Sequence, residues 1–176
     1  MKMTSFFKMS VLAVGMVAAL GANAADDGTI NITGELLASA CQVDAASISS
    51  PIALGDIASG TFAKVGDAST KMPFSIHITD CPDSVTEVMM AAVGTKDATN
   101  QDLLALASDS LAAGLGIALY NNDDSQIKMG NTTAPVAISA DTHEATIAMK
   151  AAAVSTAASV AGGAFSANTN FILSYN

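Results

Sequence analysis

Gly163-Ala164-Phe165-Ser166-Ala167-Asn168-Thr169-Asn170-Phe171-Ile172-Leu173-Ser174-Tyr175-Asn176 is the stretch that decides the fold. From Phe165 on, its odd positions are Phe165, Ala167, Thr169, Phe171, Leu173 and Tyr175, and its even positions are polar apart from Ile172. Successive side chains of a strand point to opposite faces, so this pattern predicts one apolar and one polar face. No turn and no further strand follow in the sequence. The strand is therefore expected to need a partner that the chain does not supply beyond it. The alternative is that the odd-numbered residues fill a closed core, since alternation is common to every half-buried strand.

The opposite end reads as an export signal. Lys2 and Lys8 give a positive region, Val11 to Leu20 an apolar run, and Ala22-Asn23-Ala24 a small-residue cleavage site. The expected mature chain starts at residue 25. The apolar run is shorter than the roughly 20 residues of a membrane span, and no later segment qualifies, so no membrane span is expected. Without residues 1–24 the chain keeps five lysines, no arginine and sixteen carboxylates, a net charge of −11. Such a chain is repelled by phosphate backbones and anionic lipid, which excludes nucleic acid as a natural partner. Export also bears on Cys41 and Cys81, the only cysteines. An oxidising compartment favours pairing them, the alternative being two buried free thiols. A bridge over about 40 residues stabilises by on the order of 4 kcal/mol through chain entropy. Two cysteines without a histidine cluster do not form a zinc site.

Between these ends, short strand-like runs alternate with turn signals. Thr29 to Thr33 alternates with Ile30 and Ile32 on one face, Glu35 to Val43 leads into Cys41, and Ser50 to Gly55 reads as a short strand. Lys71 to Asp80 places Phe74, Ile76 and Ile78 on one face and delivers Cys81, with Pro82-Asp83 making the turn. Thr86 to Val93, Gly114 to Tyr120, Ala134 to Ser139 and Thr142 to Ala151 are further strands, and Asn121 to Ser125 is a polar turn. Gln101 to Leu111 reads equally as a short helix or an irregular crossover. Ala145 to Val160 is Ala-rich and helical by propensity, but Thr146, Ile147, Val154 and Thr156 are β-branched, which favours strand. Many short strands at regular spacing predict an all-β sandwich of one domain.

Four landmarks now carry a resemblance. They are Gly28 to Leu37 followed by Cys41-Gln42-Val43; Pro51 to Gly55; Pro73 to Cys81; and a last strand with Gly fourteenth from the end and Tyr in the penultimate place. In this order and spacing they make the chain similar to a chaperone–usher pilus subunit of the type 1 fimbrial family. Gly60 to Lys71 and Gly114 to Tyr120 are most like major subunits of long polar fimbriae. The resemblance implies an incomplete immunoglobulin-like β-sandwich lacking its last strand. It implies a signal peptide over 1–24, a donor-strand extension over 25–34 and a pilin domain over 35–176. In such a family a periplasmic chaperone lends the missing strand, and at the outer-membrane usher the extension of the next subunit replaces it. Carried over by residue, Gly28, Ile30 and Ile32 are the donor positions. Gly163, Phe165, Ala167, Thr169, Phe171, Leu173, Tyr175 and Asn176 are the acceptor-groove and chaperone-recognition positions, with the Asn176 carboxylate taken by basic chaperone residues. The implied product is a fibre on the bacterial surface that supports attachment. The pattern departs at Asp26, which stands in phase with Ile30 where many such subunits carry a further apolar donor residue; a charge there is costly to bury unpaired.

Other chemistry finds little support. His77 is in phase with a polar strand face, His143 lies in a polar stretch, and no G-x-S-x-G elbow occurs. Asp123-Asp124 lacks calcium-ligand spacing and reads as a solvated turn. The expectation is a non-enzymatic subunit with no cofactor and no metal, the repeating unit of a shaft. The alternatives are a minor or tip-proximal adaptor or adhesin subunit, and a self-contained exported sandwich.

Overall fold

A computed structural model describes residues 40–49 and 51–176. The expected signal segment and the donor positions Gly28, Ile30 and Ile32 lie outside the described residues. Two antiparallel sheets face each other across one main core. The first orders its strands β1 (Gln42–Val43), β2 (Met72–Thr79), β8 (Ala145–Ser155), β5 (Leu115–Asn121) and β4 (Leu104–Ala105), with β6 (Gln126–Ile127) also pairing β5. The second orders β7 (Val136–Ala137), β3 (Glu87–Val93) and β9 (Asn170–Tyr175). Among the described residues this is the expected immunoglobulin-like sandwich, with no strand beyond β9 in its sheet, and the described helix content is small: α1 (Ala45–Ser49) and one 3-10 turn at Ser59–Thr61.

β2 shows why the alternating runs become strands. Ile76 and Ile78 are buried and Phe74 half-buried, while the intervening Ser75 stays exposed. Antiparallel pairing sets Ile76 opposite Ile147 and Phe74 opposite Met149, so both strands aim the same face at the core. β1 pairs Gln42 with Thr79, which places Cys41, just before β1, beside Cys81, just after β2. The two are joined in a disulfide.

β8 resolves the Ala-rich stretch. It is one continuous strand of eleven residues, paired with β2 over Ala145–Ala151 and with β5 over Met149–Ser155. Ala151, Ala152 and Ala153 are all buried, because Leu103, Ala118, Tyr120, Ala152 and Val154 form a second small core on the outer face. A strand covered on both faces loses its alternation and reads as a plain apolar run. Helix propensity, a few tenths of a kcal/mol per residue, is overridden by that burial.

Two expectations need correcting, and one open choice is decided. Pro51 to Gly55 forms no ladder among the described residues; Pro51, Ile52 and Ala53 are exposed, and only Leu54 there meets the core. The last strand begins at Asn170, not at Gly163. The main chain before it is committed elsewhere: Ser166 O accepts from Ala107 N at 2.8 Å, and Ala164 O from Leu111 N at 2.8 Å. Gln101 to Leu111 is a turn-rich crossover containing β4, not a helix.

Candidate functional site

Among the described residues β9 lies at one margin of its sheet, paired with β3 alone. Asn176 and Glu87 exchange both main-chain bonds, at 3.1 and 3.2 Å. Hydrogen-bonded pairs alternate along an antiparallel ladder, so Asn170, Ile172 and Ser174 direct their main-chain groups to β3. Phe171, Leu173 and Tyr175 direct theirs to the other edge, where no described residue pairs with them. Three N–H and three C=O groups therefore stand ready for another strand.

An apolar cleft of about 540 Å³ opens beside this edge. Thr169 and Phe171 form one wall, and α1 with Pro51, Ile52 and Ala53 forms the other. Its floor is core: Ile76, Met90, Ala92, Leu119 and Met149, all buried. Ile52 (42 % exposed) and Ile48 (61 %) sit on the rim. No described residue lining the cleft carries a charge. A sandwich of this size ordinarily closes over such a surface, because apolar area left in water forgoes about 25 cal/mol per Å².

The C-terminal residues singled out from sequence divide into groups. Phe165, Ala167, Phe171, Leu173 and Tyr175 are half-buried and packed on the main core. Phe171 also lines the cleft, as does Thr169, whose side chain is otherwise exposed. Burial raises the Tyr175 hydroxyl above its ordinary pKa. The main-chain oxygen of Asn176 is already held inside the subunit, by Thr86 N at 2.8 Å, Glu87 N at 3.2 Å and Thr86 Oγ1 at 3.2 Å. Gly163 lies away from the cleft, at a φ of +154° against Leu111. Sequence reasoning missed the floor, from β2, β3, β5 and β8. Each of those residues reads correctly as core, and nothing local in the sequence marks a core residue whose cover is missing.

Polar chemistry elsewhere is superficial. His77 Nδ1 meets Thr146 Oγ1 at 3.0 Å, with Glu144 4.0 Å from Nε2, and His143 meets Asp83 at 3.4 Å. Asp124 accepts from Lys71 and Lys150, both at 3.0 Å. Hydrogen bonds from Lys150 and then Lys71 hold its carboxyl below the usual value.

The chain and its two-sheet sandwich have counterparts among known proteins. The family profile described as "Fimbrial protein" matches residues 30–176. The chain belongs to the fimbrial protein family. A probable major fimbrial subunit of Escherichia coli O157:H7 is 34% identical over 152 residues, covering 85% of this chain and 84% of that one. Long polar fimbria protein A of Salmonella typhimurium is 31% identical over 171 residues, covering 96% and 94%. Among solved structures, the P pilus rod subunit PapA superposes with a TM-score of 0.65 at 21% identity, covering 78% of this chain and all of that one. As a member of that family the chain is a fimbrial subunit, a structural building block of a cell-surface fimbrium and not a catalyst.

Proposed function

We propose that the chain is the repeating shaft subunit of its fimbria and polymerises by donor-strand exchange. In this reading residues 25–34 of one copy, through Gly28, Ile30 and Ile32, fill the cleft and pair with β9 of the next. A periplasmic chaperone holds the same edge beforehand, and an outer-membrane usher is the place of exchange. The observation that carries the proposal is the open edge of β9 beside an uncharged apolar cleft. Support for a shaft role comes from the relatives, among them a probable major fimbrial subunit.

The test is a pair of thermal melts. One sample is residues 25–176; the other carries Asp26 to Leu36 appended after Asn176 through a flexible linker. Six newly paired main-chain groups at about 1 kcal/mol per bond, with two isoleucines buried at about 1.5–3 kcal/mol each, oppose the cost of ordering the segment. A gain of a few kcal/mol raises the midpoint by on the order of 10 °C in a chain of this length. Equal melts with both samples monomeric and folded would mean that the sandwich is already closed, and the proposal would be abandoned.

A further inference from the structure

Three of the methionines meet at the cleft: Met72 from the start of β2, Met90 from β3 and Met149 from β8. Met90 and Met149 lie on the floor, each 2 % exposed, and Met149 pairs across the ladder with Phe74, another lining residue. Methionine is unbranched and has three rotatable bonds, so it refills a space whose shape changes. Binding surfaces that take several partners use that adaptability. Ile76 and Leu119 hold their part of the floor in one shape, so the two methionines are its adaptable part.

We infer that Met72, Met90 and Met149 make the cleft select its occupant for an extended, uncharged apolar strand and not for side-chain size, the occupant being residues 28–34 of a second copy. The inference rests on the donor-strand reading above. The match is one of charge and length. Residues 28–34 carry no charge but are bounded by Asp26 and Asp27 before and Glu35 after. The cleft lining is likewise uncharged. Seven extended residues span roughly 23 Å at about 3.3 Å each, enough to run the length of six-residue β9. Ile30 and Ile32 are the large side chains this stretch offers, and a yielding floor accepts other apolar side chains in their places. Subunits of unlike donor sequence can then follow one another in one fibre.

The experiment is competition binding of peptides spanning residues 26–36 to the refolded chain 25–176. Ile30 and Ile32 are each replaced in the peptide by Leu, Met, Phe or Asp. At the position seated over the floor, Asp is expected to lose at least about 100-fold, whereas Leu, Met and Phe stay within about threefold of Ile; a rigid apolar pocket discriminates about 10–200-fold for a single methylene. In the chain variant M90L/M149L, a volume-conserving change, the same series is expected to spread to about tenfold or more. A tenfold spread already present in the natural chain overturns the inference, as does a variant series no wider than the natural one. Should the variant not refold, the natural chain's series decides alone. Failure of the unsubstituted peptide to bind at all removes the donor-strand reading and this inference with it, an outcome distinct from a steep size dependence.

Discussion

Replacing Gly163 by alanine should destabilise the subunit by itself, with no assembly partner present. A Cβ built there lies 2.7 Å from Leu111 Cβ, 2.9 Å from Leu111 C and 3.0 Å from Ala112 N. Two of those three atoms are main chain, and that main chain cannot retreat freely. Leu111 N and Ala112 N both donate to Ala164 O, at 2.8 and 3.3 Å, so the loop is tied to the residue after the substitution. The φ of +154° adds strain that only glycine escapes. Backbone strain of this kind costs about 1–3 kcal/mol, and forced overpacking about 1–3 kcal/mol more. A total near 3 kcal/mol lowers the melting midpoint by roughly 6–12 °C in a domain of this length. The control is the neighbour: Gly162 has nothing within 4 Å of an added Cβ, so Gly162→Ala should change the midpoint little. The assay is thermal denaturation followed by far-ultraviolet circular dichroism, on chain 25–176 with the appended donor segment, for all three proteins in the same state. If Gly163→Ala melts within 2 °C of Gly162→Ala, on the order of the error of such a scan, the steric argument is wrong. The glycine would then have to be explained by recognition from outside the subunit.

The other predictions concern assembly, the disulfide and one surface ion cluster. Ile30→Asp should leave recovery of the chaperone-bound subunit unchanged but abolish fibres seen by electron microscopy, because a buried unpaired carboxylate costs several kcal/mol; normal fibres from this variant would remove Ile30 from the donor strand. The double change Cys41→Ser with Cys81→Ser opens a loop of 40 residues and should lower the unfolding free energy by about 4 kcal/mol, read as a shift in the guanidinium chloride midpoint. Asp124→Asn leaves Lys71 and Lys150 without their shared carboxylate. Since pairing depresses the carboxyl pKa in the folded chain below the ordinary 3.8, its contribution is complete above the unfolded value and is lost as pH falls through the lower folded one. The variant should therefore be less stable than the natural chain at pH 6, with the gap closing below about pH 4 and in high salt; a gap independent of pH would sink this account.

Period-two alternation, read from single residues, determined most of the sandwich. Phe74, Ile76 and Ile78 of β2 face the core as their spacing requires, and so do Phe171, Leu173 and Tyr175 of β9. Such a pattern survives in the sequence because each residue's face depends only on its neighbours along the strand. The Ala-rich strand β8 was harder to read, since burial on both sides erases the alternation. Pro51 to Gly55 misled for the opposite reason: an apolar run there lines a cleft and meets the core at Leu54 without joining a ladder. The crowding at Gly163 is not legible either, because the atoms that an added side chain would meet belong to Leu111 and Ala112, some fifty residues earlier. The cleft floor was the least legible part of all. Met90, Leu119 and Met149 come from three strands, and each looks like ordinary core when taken alone. Whether a buried apolar residue is covered or faces an opening depends on what packs above it, a relation between distant segments that only the folded arrangement of the two sheets decides.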